Sequence, residues 1–209
     1  MVLWPLGGFV ICGPTETVLG DFKVAIAGPL THLPQMAVWI ALYAGLEGGD
    51  FEFFNMDYNK DDDVSFGGRV AAQAFYLNVV LMIFNLFVPA YPLDGGRCLA
   101  AALVMCGVSV MNAAITTAVV GMVIAALIGI YGIASFFTGN SGGIFMFAMA
   151  AWIFMSSYKM FKLNRPASGM YGTPMDQLKQ HPVFGQDCYQ NRGNQELAQQ
   201  QANANANNV

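Results

Sequence analysis

Charged residues are missing from three long stretches of this 209-residue chain, and no other feature limits its fold as much. No Asp, Glu, Lys or Arg occurs from Val24 to Leu46, from Val70 to Leu93, or from Cys98 to Tyr158. About 20 apolar residues carry a helix across the hydrocarbon of a bilayer, and a soluble core helix of that length shows a polar face. The third stretch is long enough for two crossings. The chain therefore reads as an all-α, multi-pass integral membrane protein surrounded by lipid bilayer. A secretory signal does not explain the pattern, because no basic region precedes the short N-terminal apolar stretch and the apolar runs recur downstream. The net charge of −4, with no basic stripe or aromatic-basic module, gives no nucleic-acid partner.

Proline, glycine and the remaining charges divide the chain further. Residues 1–22 read as a short extended segment, since Trp4-Pro5-Leu6-Gly7-Gly8-Phe9-Val10 cannot continue a helix. The first span is expected over about 23–46, interrupted at Gly28-Pro29 and again at Pro34. A polar loop follows over 47–69, with seven acidic residues against two basic ones and the run Asp61-Asp62-Asp63. The second span is expected from Val70, breaking at Pro89 and Pro92. After Asp94-Gly95-Gly96-Arg97 a shorter helix is expected over 98–110, then spans over 112–137 and 144–163. Gly121, Ala125 and Gly129 recur every four residues, a small-residue face that lets two helices approach closely. Residues 1–163 are thus one transmembrane domain. The tail, 164–209, has eleven Asn or Gln in its last twenty residues and no apolar periodicity, so disorder is expected there.

Lys159, Lys162 and Arg165 flank the last span and place the tail in the cytoplasm. Counting back through four spans puts the 47–69 loop on the opposite side and the N-terminal segment with the tail. Cys12, Cys98, Cys106 and Cys188 contain no C-x-x-C pair and read as small buried hydrophobes rather than a disulfide or zinc framework.

An ionisable residue within membrane-spanning sequence is costly and marks a functional site by default. Asp94 is the best such residue. It lies in Asn85-Leu86-Phe87-Val88-Pro89-Ala90-Tyr91-Pro92-Leu93-Asp94-Gly95-Gly96-Arg97, where two prolines open the backbone and paired glycines permit close approach to another helix. Its carboxylate could point inward to a pocket, or it could cap the following helix and pair with Arg97 at i+3. The residue types leave those two readings even.

The run Pro-Ala-Tyr-Pro-Leu-Asp-Gly-Gly-Arg resembles the Leu-Asp-Gly motif of the site-2 protease family, zinc metalloproteases that cut peptide bonds within the membrane. Leu3-Trp4-Pro5-Leu6-Gly7-Gly8-Phe9 is similar to the strand that follows that family's first catalytic helix. Ala27-Gly28-Pro29-Leu30 is similar to its Ala-Gly-Pro segment. The three motifs stand in the family's order over residues 3–110. The resemblance implies a site-2 protease-like helical core with a short N-terminal β-segment and a membrane-protein substrate. It implies Asp94 as the carboxylate ligand of a zinc ion whose other protein ligands are two histidines, and Asn85 as a residue that helps hold substrate or oxyanion. Val88 lengthens the spacing from Asn85 to Pro89 by one residue relative to the commoner pattern.

The family's His-Glu-x-x-His motif, carrying two ligands and the general base, is missing from these residues. The only histidines are His32, within a span, and His181, in the tail, and they form no i, i+4 pair. The chain supplies one of three zinc ligands and cannot be a competent protease by itself. An N-terminally truncated protease is the expectation, because the sequence starts where the missing helix would end. A natural form that has lost this helix and acts as a binding or chaperone-like protein is the alternative. A small transporter using Asp94, Arg97 and His32 is a third.

Overall fold

The computed structural model describes residues 2–4, 7–9, 15–48, 64–140, 142–163, 174–179 and 181–206. Val2–Trp4 (β1) pairs antiparallel with Gly7–Phe9 (β2), with Leu3 opposite Gly8. The rest of the described chain is helical. Four helical stretches are long and apolar enough to cross a membrane: Val18–Glu47, Phe66–Phe87, Val110–Phe137 and Gly142–Leu163.

The first stretch is two helices in series. α1 (Val18–Leu30) is capped by Thr17, whose hydroxyl accepts from Gly20 N at 3.0 Å. It therefore starts five residues before the expected Lys23 and takes Asp21 into its first turn. Pro29 lacks the N–H that would bond back along α1, so the chain re-nucleates at Thr31 and continues as α2 (His32–Glu47). Pro34 falls in the first turn of α2, where an N–H has no intrahelical partner anyway, and it breaks nothing. Gly48, at φ +64°, closes α2 in the left-handed conformation that glycine adopts freely.

Ser65 caps α3 (Phe66–Phe87) by accepting from Gly68 N, and its own N–H and hydroxyl bond the Glu47 carboxylate. The ends of α2 and α3 are thereby tied. The Asp61-Asp62-Asp63 run lies outside the described residues. α3 stops at Phe87, and the break expected at Pro89 and Pro92 is a turn in which Leu93 N donates to Ala90 O at 2.9 Å.

α4 runs from Asp94 to Met105 and not over 98–110. The Asp-Gly-Gly-Arg segment, expected as a connector, is its first turn. A Cβ at Gly95 would strike the carbonyl oxygens of Val88 and Leu86, and one at Gly96 would lie within 2.5 Å of Ala90 C and Tyr91 N. The paired glycines thus serve a close approach, Gly95 to the last turn of α3 at Leu86 and both to the connection that follows it.

α5 (Val110–Phe137) and α6 (Gly142–Leu163) form an antiparallel pair joined by a turn in which Gly139 takes φ +87°. The small-residue face packs as its spacing predicts. A side chain at Gly121 would collide with Ser157, and Gly129 faces Ala150 with its would-be Cβ 3.5 Å away. At Gly132 a Cβ would sit 2.9 Å from Phe147 N and 3.0 Å from Gly143 O, so the two backbones nearly touch. Gly132→Val is therefore expected to force the pair apart at a cost of about 1–3 kcal/mol, read as a lower midpoint in detergent unfolding. An unchanged midpoint would show that the seam has slack.

The tail departs from its expected disorder. α7 (Pro174–Leu178) and α8 (Asp187–Ala206) are ordered helices, and Met175, Leu178, Val183, Phe184, Cys188 and Tyr189 are buried in one cluster with Ala100, Val104, Val110, Ala113, Ala114, Ala118 and Met160. Composition averaged over an Asn/Gln-rich segment hides these few apolar residues, which suffice because they dock on a surface already built by α4, α5 and α6. Glu196 fixes the end of that contact by accepting from Val110 N at 3.1 Å. Cys98, Cys106 and Cys188 are free thiols.

Candidate functional site around Asp94

Asp94 opens α4 at the foot of the Pro89–Leu93 connection, whose shape is held from two sides. Ser157 on α6 donates to Tyr91 O at 3.1 Å, and the glycines of α4 press against residues 86–91. Leu93, not Asp94, is the cap residue of α4, and the Asp94 carboxylate makes no capping bond. It points instead at α1: a Cβ at Gly28 would come within 2.9 Å of Asp94 Oδ2. Glycine at position 28 is what admits the carboxylate there. The structure thus joins two of the sequence motifs, Ala27-Gly28-Pro29 and Leu93-Asp94-Gly95, at one point between α1 and α4. Asn85 lies half-buried on the last turn of α3, one residue before Leu86, whose carbonyl touches Gly95.

Arg97, three residues after Asp94, is close enough to act on its charge but does not pair with it. Its guanidinium binds Asp21 on α1 instead. Asp21 is 0% exposed, and its second oxygen accepts from Tyr189 Oη at 2.9 Å, while Gln186 Nε2 donates to the first at 3.3 Å. Thr15 donates to Gln186 Oε1 at 2.6 Å. A buried carboxylate needs this many donors, since an unpaired charge removed from water costs several kcal/mol. The contact of Thr15 with Gln186 also sets the start of the first apolar stretch beside the C-terminal segment.

Neither histidine is near Asp94 in any described contact. His32 Nδ1 lies 2.7 Å from Asn78 Oδ1. Asn78 Nδ2 donates to Ala74 O at 2.8 Å, so Oδ1 is the acceptor and His32 carries its proton on Nδ1. This pair ties α2 to α3 as a buried polar contact. His181, expected in a polar tail, is buried and packs against Tyr91 with ring centroids 4.6 Å apart and the rings tilted by 55°. Its Nδ1 accepts from the N–H groups of Val183 and Phe184, and Nε2 is buried without a hydrogen-bond partner.

Burial holds His181 neutral, with a pKa lowered from 6.5 to about 4. The sign of the linkage follows directly. Below 6.5 the undocked segment takes a proton that the docked one refuses, so docking is full above pH 6.5 and weakens as pH falls toward 4. The loss across that window is on the order of 3 kcal/mol. Protection factors for amide exchange over residues 174–206, taken relative to the intrinsic rate at each pH, are expected to fall between pH 7.5 and 4.5, and His181→Phe is expected to flatten the response. An equal fall in the variant would assign it to another group.

Sequence reasoning passed over Asp21, Tyr189, Gln186 and Asn78. Asp21 falls in the 1–22 segment expected to be extended, just outside the span expected from residue 23.

Comparison with known proteins gives one relationship. Over 188 aligned residues the chain is 30% identical to the protein named "Putative zinc metalloprotease Rip3" of Mycobacterium tuberculosis, found in two strains. The chain is a distant relative of a named metalloprotease. The match covers 83% of this chain and 44% of the relative, so the chain spans less than half the length of the curated proteins it matches. No family model matches, and no solved structure matches.

Proposed function

We propose that this chain is part of a membrane-embedded zinc metalloprotease of the site-2 protease type, in which Asp94 is the carboxylate ligand and a membrane-spanning protein is the substrate. The observation that carries the reading is the open carboxylate of Asp94, set against Gly28 at the meeting of two family-like motifs. The related metalloprotease and the four apolar helices support it. In the same reading Asn85, beside that meeting point, contacts the substrate chain.

These residues do not fit a zinc ion on their own. A catalytic zinc takes three protein ligands and keeps a fourth position for water, which it activates. Among the described residues no group of three His, Cys, Asp or Glu side chains could hold a metal. His32 is engaged by Asn78, His181 is packed against Tyr91, and Asp21 is saturated by Arg97, Tyr189 and Gln186. The two histidines and the general base would come from a His-Glu-x-x-His helix outside these 209 residues. The same incomplete donor set supports the second reading, a membrane protein that binds such substrates without cutting them.

Metal retention separates the two. The 209-residue chain purified in detergent is expected to keep no stoichiometric zinc. Joined behind a His-Glu-x-x-His helix from its own locus or from a relative, it is expected to keep one zinc per chain, lost in Asp94→Ala. Zinc held by the 209 residues alone, or held by the joined protein irrespective of position 94, would overturn the ligand assignment.

A further inference from the structure

We propose that Asp21 is a positioning residue for Asp94, holding Arg97 away from it, and that the C-terminal helix α8 is the support that keeps Asp21 in place. This rests on the reading of Asp94 as the functional carboxylate.

The argument starts from the spacing of α4. Residues three apart on a helix are neighbours, so an Asp94-to-Arg97 ion pair is the default outcome for this sequence. An arginine bound to Asp94 would neutralise it and occupy the lone pairs that any ligand or substrate group must reach. The structure avoids this by giving Arg97 a better partner. Asp21 is fully buried and fixed, and the Arg97 side chain is only 23% exposed, so their pairing is little weakened by water. Tyr189 holds the other oxygen of the Asp21 carboxylate and Gln186 shares the first with Arg97, so the carboxylate is fixed in orientation. Both lie at the start of α8 or just before it, and that region is anchored independently by Tyr189 and Cys188 in the core and by Glu196 on Val110 N. His181 on Tyr91 adds a second contact from the same segment to the connection that leads into Asp94. A segment that looks like an appendage in the sequence therefore sets the charge environment of the site.

The consequence is a specific coupling between two substitutions. Removing the Asp21 charge frees Arg97 to fall onto Asp94, and removing Arg97 as well leaves Asp94 open again. A residue that served only the fold would recover stability in the double variant without closing Asp94 in the single one and reopening it in the double.

The test uses the 209-residue chain in lipid nanodiscs. Carboxylates are activated with a carbodiimide, coupled to glycinamide, and amidation of Asp94 is read by mass spectrometry. In the unaltered chain Asp94 is expected to be labelled. In Asp21→Asn that labelling is expected to be lost, and in the double variant Asp21→Asn/Arg97→Gln it is expected to return. Labelling of Asp94 in Asp21→Asn equal to that of the unaltered chain, or loss that persists in the double variant, would overturn the proposal. If Asp21→Asn does not give a folded protein, Tyr189→Phe removes a single hydrogen bond from Asp21. It is expected to reduce Asp94 labelling, with Arg97→Gln restoring it, and unchanged labelling in Tyr189→Phe overturns the proposal equally. The measurement involves no metal and no peptide cleavage. A failed protease reading would therefore show as absent zinc retention with the labelling pattern intact, and a failed positioning role as the reverse.

Discussion

Placed behind a His-Glu-x-x-His helix, this chain is expected to cleave a membrane-spanning reporter peptide, and Asp94→Asn is expected to abolish that cleavage. Asparagine keeps the size of the side chain and one acceptor oxygen, so packing against Gly28 is preserved. It loses the negative charge that a metal ligand of this kind supplies. Disturbing a residue that merely orients a zinc ligand costs about 10–100-fold, and loss of the ligand itself is expected to exceed that. Turnover and metal content should fall together. If the joined protein holds zinc and cleaves equally well with asparagine at 94, the protease reading loses its main support. The reason to expect an effect lies in cost. On insertion scales a carboxylate within membrane-spanning sequence costs about 2.5–3.5 kcal/mol, and Asp94 receives no hydrogen bond among the described residues to offset it.

The second large effect is structural. Asp21→Ala is expected to destabilise the chain by about 3–5 kcal/mol, because it breaks the buried pair with Arg97, which must turn to Asp94, and leaves Tyr189 Oη without its acceptor and Gln186 Nε2 with Pro182 O alone. Asp21→Asn keeps an acceptor for Tyr189 and is expected to cost less. The loss should be read as faster amide exchange over 174–206 and a lower unfolding midpoint. A midpoint within the scatter of the unaltered protein would mean that the buried network is not what holds the C-terminal segment down. Replacing both partners, Asp21→Asn with Arg97→Gln, is expected to recover much of the loss, since removing a buried pair together is far milder than removing half of it.

The apolar helices were legible in the sequence because the signal for them is crude and strong. Absence of charge over more than twenty residues permits little else, and the four long helices fall where those stretches lie. Their ends were less so. α1 starts at Val18 because Thr17 caps it, a local hydrogen bond that the charge pattern does not reveal. α4 starts at Asp94 because its two glycines let the first turn lie on the chain upstream, a tertiary fact. The site was legible in its motifs but not in its partners. The adjacency of Gly28 and Asp94, which are 66 positions apart, follows from how α1 crosses α4. The pairing of Arg97 with Asp21 across 76 residues overrides the local i+3 partner for the same reason. The tail was misread because docking needs only a few well-placed apolar side chains. Val183-Phe184 and Cys188-Tyr189 are enough once a surface exists to receive them.

The placement of Asp21 also fixes the order in which the protein can be completed during synthesis. α1 leaves the ribosome before α3 to α8 and brings a carboxylate to the edge of the bilayer while every group that binds it is still unmade. Arg97 appears only after the second apolar helix, and Tyr189 and Gln186 only after the last. Until then α1 stays shallow or hydrated at that end, where water can solvate the charge. The final seating of α1 is thus expected to wait on residues 186–189, which supply the last two donors to its carboxylate.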